Sequence, residues 1–324
     1  MRAWQVRRHG EPRDVLELVD VEPPAPASGQ LRIRVRAAAL GLPDAFMCRG
    51  MYPLTPALPF TPGQEVVGTV LESDVAEFAP GARVMGVTRF TDGHGGFAEE
   101  TLIDTSNAFA VPDSMDDADA AAFRIGYPTA WIGLVRRGAL VAGESVLVLG
   151  AAGGSGAAAV QVAHALGARV LAVAAGPEKC AHCRDLGADV VIDRRATDVT
   201  DAVREATGGA GVDLVFDPVG GAAGEAAQAC LARGGRYLLV GFASGQWPRL
   251  DAARLVGGNA SALGVYVGAY SRAEHEVDHA AMLELVAQGR LRSCVTSTVD
   301  FEEIPAALQV LADGAVIGKT VART

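Results

Sequence analysis

Residues 59–70, PFTPGQEVVGTV, place Gln64 and Glu65 between a Pro-Gly turn and an apolar run with the pattern of a strand. Polar side chains at the mouth of such a strand suit metal ligation, acid–base transfer, or hydrogen bonding internal to the fold. A second chemical signal lies in VLVLGAAGGSGAAAVQVA, where Gly150, Gly153, Gly154 and Gly156 crowd between a strand pattern and a helix pattern. Glycines there permit a tight turn, close approach of the backbone to a pyrophosphate, and helix-on-strand packing. The helix start adds unpaired N–H groups and the positive end of its dipole. Strand, turn, helix and second strand follow at the spacing of a dinucleotide site. Ala152, Gly153, Gly154, Ser155 and Gly156 are therefore candidate cofactor contacts.

The end of the second strand reads VAAGPEK. An Asp or Glu there would bind a ribose 2′-hydroxyl and repel a 2′-phosphate. No acid stands at that strand end; Ala174, Ala175 and Gly176 there are small, and Lys179 comes one turn later. A charge-assisted contact from Lys179 to a 2′-phosphate is worth about 1.5–3 kcal/mol, roughly tenfold to a hundredfold in preference. Arg194, with Arg195, just past the third strand, adds positive potential near the adenosine. The expected cofactor is NADPH rather than NADH.

Other motifs have simpler readings. HEVDH, residues 275–279, satisfies the H-E-x-x-H spacing of a zinc hydrolase. A charged Asp278 lies inside it and the surrounding SRAEHEVDH is polar, which suits an exposed helix face. Cys180 and Cys183 share a C-x-x-C spacing, but no second pair completes a tetrahedral site. His9, His94 and His164 read as surface or packing residues. GGSGA around Ser155 matches a nucleophile elbow only superficially, because the phosphate turn occupies that place.

These groups must be positioned by two kinds of architecture. Up to about residue 120 the chain is β-rich: LRIRVR alternates apolar and basic residues, and EVVGTV and ARVMGV follow between Pro-Gly turns. From residue 145 strands and helices alternate, with helices expected over 156–166 and 177–186 and from 222 to 231. Near-continuous apolar strands alternating with helices mean a parallel sheet covered on both faces. The tail carries an amphipathic helix over 274–288, the strand CVTSTV, a helix from 301 and a strand around GKTVAR. The fold class is α/β: a β-rich domain with a doubly wound domain inserted before the C-terminus.

The chain has 324 residues, half of them hydrophobic, enough for about two cored domains. A formal net charge of −10 and only short basic groups exclude a nucleic-acid partner. The opening MRAWQVRRHGEPRDV has no apolar run suited to a signal peptide, and no stretch approaches the roughly 18 apolar residues of a membrane span. Five cysteines without a paired framework fit a reducing compartment, so a cytoplasmic location without membrane association is expected.

Taken together, GLPDAFMCRGMYP, LPFTPGQEVVG, GGFAEE, GYPTAW, VLGAAGGSGAAAVQVA, LGADVVID, DPVGG, GGRYLLVGFASG and GKTV resemble the zinc-independent medium-chain dehydrogenase/reductases of the quinone oxidoreductase (zeta-crystallin-like) branch. The resemblance runs nearly end to end. It implies a GroES-like catalytic domain over 1–122 and 266–324, a Rossmann NADPH-binding domain over 123–265, and a homodimer. It also implies that Gln64 stands where zinc-dependent relatives have a metal-binding His, and Gly41 where they have a catalytic Cys. An Asn common in this branch is likewise missing at Gly41. Arg124 replaces a frequent Pro and Pro128 a frequent Gly.

By the same resemblance Tyr52 lines the acceptor site, Asp44 and Gln64 belong to the catalytic cleft, and Tyr127 and Thr129 lie near the nicotinamide or its phosphates. Gly241, Phe242 and Ala243, after the strand RYLLV, form the crevice wall, and Lys319 is a further cofactor candidate. Glu65 is expected to wire the domains together. The implied reaction is hydride transfer from NADPH to a small-molecule quinone or α,β-unsaturated carbonyl compound without zinc. An enoyl-thioester or 2-alkenal double-bond reductase and a non-catalytic NADPH-binding protein are the alternatives.

Overall fold

A computed structural model of the chain describes residues 1–324. It divides into two compact units: residues 1–125 with 293–324, and residues 126–292.

The first unit is built on antiparallel strands. β1 (Arg2–Val6) and β2 (Leu16–Asp20) form a two-stranded sheet. β3 (Gln30–Ala39), β4 (Glu65–Ser73), β5 (Arg83–Thr88) and β6 (Glu100–Ala110) pair in sequence order, and β6 also pairs back with β3. That extra pairing closes the four strands on themselves and leaves no free edge among them. Alternation in LRIRVR turns Leu31, Ile33 and Val35 into a core that also holds Phe60, Phe78 and Phe97. β13 (Val295–Asp300) and β14 (Lys319–Arg323) extend the sheet from the far end of the chain, β14 pairing antiparallel with β3.

The second unit is a parallel sheet. Its strands are β7 (Ser145–Val148), β8 (Arg169–Ala174), β9 (Val190–Asp193), β10 (Val212–Asp217), β11 (Leu231–Leu239) and β12 (Ser261–Gly264). The spatial order is β12-β11-β10-β7-β8-β9, with β7 the strand where the winding reverses. β7 and β8 are apolar nearly throughout because helices cover both faces. Helices at Gly154–Ala165, Pro177–Asp185 and Arg272–Ala287 agree with the periodicity read from the sequence.

The chain returns to the first unit at Ser293, whereas the expectation from sequence set that return at residue 266. The difference lies in the helix Arg272–Ala287. Its Asp278 accepts hydrogen bonds from Trp131 Nε1 at 3.0 Å and Arg136 Nε at 2.7 Å, which fasten it inside the second unit. The expectation of an exposed HEVDH face is corrected by the same contacts. His275, Asp278 and His279 are buried, because the acidic residue that made the motif look solvated is the group anchoring the helix. His275 meets the Tyr270 ring edge-on.

Candidate functional site

The glycine turn follows β7 and leads into the helix Gly154–Ala165, whose N-cap is Gly153. Gly153 N donates to Gly150 O at 3.0 Å, and Ala151 N donates to Val173 O of the neighbouring strand at 3.0 Å. A Cβ on Gly156 would stand 2.2 Å from Gly150 O and 2.8 Å from Ala151 Cα, so only glycine fits that position. The result is a narrow cradle with Ala152 buried and Gly153, Gly154 and Ser155 half-exposed at a helix N-terminus, suited to a pyrophosphate.

Beside it, Gly176 caps the helix Pro177–Asp185 and donates its N–H to Asp193 Oδ1 at 3.0 Å. The same carboxylate oxygen accepts from Arg195 N at 3.0 Å, and these main-chain N–H bonds hold the Asp193 carboxyl below its ordinary range. Asp193 thereby folds the end of β9 over the end of β8, and Arg195 Nη1 comes within 3.2 Å of the place a Gly176 Cβ would occupy. Lys179 is half-buried in this corner. Burial first, then Arg195 and Arg194, push its amine below the usual 10.5. Three cations thus crowd one strand end, a cluster that an added phosphate dianion would relieve. Arg195, ranked with Arg194 from sequence, is the arginine whose guanidinium reaches Gly176. Its signal was the Arg-Arg pair itself, which could not say which member turns inward.

Gly241, Phe242 and Ala243 follow β11. Gly241 N donates to Asp217 O at 3.2 Å and Ala243 N to Pro218 O at 3.0 Å, and the Phe242 ring lies 4.8 Å from that of Trp247. Thr129 is half-buried on the helix Gly126–Trp131. Tyr127 is buried on the same helix, and its hydroxyl donates to Arg292 O and accepts from Gln161 Nε2 at 3.0 Å. Gln161 Oε1 accepts from Arg292 N at 2.9 Å, so this phenol is tied into the unit's own wiring.

In the first unit Asp44 is buried on the helix Leu42–Cys48. Its Oδ2 accepts from Gly41 N at 2.9 Å and its Oδ1 from Gly63 N at 3.0 Å. Burial pushes its pKa up to about 7, against the pull of those N–H groups and of Lys319. Gln64 is buried too, its Nε2 donating to Met47 Sδ at 3.5 Å. Tyr52 is half-buried with its ring 6.4 Å from that of Phe90.

Lys319 Nζ is bound to Glu65 Oε2 at 2.8 Å rather than open to a ligand. Glu65, expected to wire the domains together, instead joins Lys319 and the Ile125 N–H, all within the first unit. The residues do not fit a catalytic zinc. Gln64 offers an amide already facing a thioether, Gly41 has no side chain, and no three His, Cys, Asp or Glu side chains converge where they could hold a metal ion.

Comparison with known proteins agrees with this architecture. Residues 27–113 match the alcohol dehydrogenase GroES-like domain and residues 154–288 the zinc-binding dehydrogenase domain. A quinone oxidoreductase-like protein 2 homolog from Nematostella vectensis is 34% identical over 92% of this chain and 82% of its own length. A probable oxidoreductase from Mycobacterium abscessus superposes with a TM-score of 0.88 at 38% identity, covering 100% of this chain and 99% of that one. The quinone oxidoreductase of Thermus thermophilus, also solved in complex with NADPH, gives 0.85 at 35% identity over the whole of both chains. The chain belongs to the medium-chain dehydrogenase/reductase family, among its quinone oxidoreductases.

Proposed function

We propose that the protein is an NADPH-dependent oxidoreductase that reduces quinones or activated, α,β-unsaturated carbonyl compounds without zinc. The observation that carries this reading is the pairing of a glycine cradle closed by Gly156 with the cation corner of Lys179, Arg194 and Arg195. The cradle suits a pyrophosphate and the corner suits a 2′-phosphate, and NADPH carries both. When bound, NADPH supplies the hydride.

The chain's own part is to bind, orient and exclude water. Ala152, Gly153, Gly154, Ser155 and Gly156 hold the pyrophosphate, and Gly241, Phe242 and Ala243 wall the crevice at the strand ends. Half-buried Tyr52 is the polar side chain offered to the acceptor, whereas Gln64 is buried with its amide against Met47. Without a Lewis acid, polarisation of the acceptor rests on side-chain and main-chain donors, which suits acceptors that reduce easily. Asp44 is better described as the residue that holds the start of its helix against Gly63. We also infer a cytoplasmic homodimer; exposed Val256 and Tyr266 flank the edge strand β12 and support association there.

NADPH oxidation measured over a panel of quinones, enones and enoyl thioesters tests this reading. Turnover of quinones or enones, unchanged by a chelator, is the expected result. Turnover confined to enoyl thioesters would make the protein an enoyl-thioester double-bond reductase instead. Tight NADPH binding with no turnover on any acceptor would make it a binding protein.

A further inference from the structure

DPVGG, which ends β10, and RYLLVG, which contains the end of β11, meet in the sheet with Val215 beside Tyr237 and Asp217 beside Leu239. Asp217 is fully buried, and each of its oxygens is hydrogen-bonded. Its Oδ1 accepts from both Val219 N and Gly220 N at 2.8 Å, shaping the turn after β10. Its main-chain oxygen accepts from Val240 N at 3.0 Å and Gly241 N at 3.2 Å, shaping the turn after β11. The two turns are then laced together by Ala243 N to Pro218 O at 3.0 Å and Ser244 N to Val219 O at 2.9 Å. Behind them, Asp217 Oδ2 meets the Tyr237 hydroxyl, which also lies 3.0 Å from Gly224 O. Space there is reserved: a Cβ on Gly224 would come 2.3 Å from Asp217 Oδ2 and 2.6 Å from Tyr237 Oη.

We propose that Asp217, held by Tyr237, is a positioning residue for the nicotinamide half of the cofactor, fixing 218–220 and 240–243 as one rigid wall. The proposal rests on the reading that NADPH binds with its pyrophosphate at the glycine cradle and its nicotinamide over the ends of β10 and β11. In an open parallel sheet the ligand lies outside the carboxyl ends of the strands near the switch point, here β7 with its neighbours β10 and β8. The adenosine end falls to the β8 and β9 side, where Lys179 and Arg195 stand, so the wall on β10 and β11 faces the other half.

Tyr237 has one hydroxyl proton and two oxygens to serve, Asp217 Oδ2 and Gly224 O. Both contacts are satisfied together when Asp217 carries a proton and donates it to the phenol, leaving the phenol to donate to Gly224. Burial raises the pKa of Asp217 and that of Tyr237, in keeping with a neutral acid there. An asparagine at 217 reproduces the arrangement, its amide nitrogen donating to Tyr237 and its oxygen accepting from Val219 and Gly220.

The test compares two ligands of the full chain, NADPH and 2′,5′-ADP, which has the adenosine and its 2′-phosphate but no nicotinamide. Asp217→Ala is expected to weaken NADPH roughly tenfold or more, from the loss of buried hydrogen bonds, and to leave 2′,5′-ADP within about twofold. Asp217→Asn should restore near wild-type NADPH affinity. Tyr237→Phe keeps the core filled and serves if Asp217→Ala does not fold; it should weaken NADPH by about fivefold with 2′,5′-ADP unchanged. A parallel loss of both ligands, or unchanged NADPH affinity in Tyr237→Phe and Asp217→Ala, overturns the positioning role. Wild-type protein that binds neither ligand overturns the cofactor reading itself and removes the proposal with it.

Discussion

Lys319 Nζ lies 2.8 Å from Glu65 Oε2, and the other oxygen of that carboxylate accepts the Ile125 N–H at 2.7 Å. Side-chain exposure is 1% for Glu65 and 10% for Lys319, so the pair is held away from water. Removing one partner leaves the other charge buried, at a cost of about 3–5 kcal/mol, whereas removing both is often nearly neutral. Lys319→Met should therefore lower stability by about that amount, and Glu65→Gln combined with Lys319→Met should recover most of it. Urea unfolding of the two variants measures the difference. A Lys319→Met protein as stable as wild type would show that the pair holds nothing together.

Lys179 predicts a cofactor preference and its pH dependence. Lys179→Ala should weaken 2′,5′-ADP by roughly tenfold to a hundredfold and leave the KM for NADH unchanged. The amine's pKa is lowered, first by burial and then by Arg195 and Arg194. The cationic form binds phosphate, so affinity should fall as pH rises through that lowered value, at a lower pH than for an ordinary lysine. The fall should vanish in Lys179→Ala. Equal kcat/KM for NADPH and NADH in the wild type would contradict the assignment.

Gly156 allows a steric test of the cradle. Gly156→Ala puts a methyl 2.2 Å from Gly150 O and 2.8 Å from Ala151 Cα, both main-chain atoms that cannot swing aside. The turn must open, costing about 1–3 kcal/mol of stability and most of the NADPH affinity. A binding titration and a melting curve read both effects, and wild-type affinity in this variant would place the pyrophosphate elsewhere.

What could be read from the sequence was whatever is local in the chain. The alternation of LRIRVR, the β–turn–helix of the glycine cradle and the helix over 272–287 are written in neighbouring residues, so periodicity and turn chemistry found them. Residues whose meaning depends on distant partners carry no such local signal. Asp278 looked solvated because Trp131 and Arg136, its partners, lie more than a hundred positions earlier. The partner of Glu65 is not legible locally, because Lys319 arrives from the far end of the chain. Asp217 and Tyr237 have no local signature, because DPVGG and RYLLVG each look ordinary alone and only the sheet register makes them neighbours.

Asp44 carries the last prediction, which concerns stability against pH. Its pKa stands at about 7 in the folded chain, above the ordinary 3.8, because burial outweighs the N–H groups of Gly41, Gly63 and Gln64 and the charge of Lys319. Between those two values the folded chain holds a proton that the unfolded chain has lost, so stability falls as pH rises. The contribution is fully present below 3.8 and gone above about 7. Cys48 also faces Asp44, but burial pushes its thiol up to about 12, outside the window. Carboxylates such as Glu11 and Glu144, held low by arginines, act in the opposite sense, so the informative quantity is the difference between wild type and Asp44→Asn. Asparagine cannot titrate, and the main-chain N–H it leaves unmatched adds an offset that does not depend on pH. Unfolding free energies of the two proteins, measured across this window, should give a wild-type-minus-variant difference that declines with pH and levels off above about 7. A flat difference would mean that the backbone donors win over burial and that Asp44 is ionised throughout.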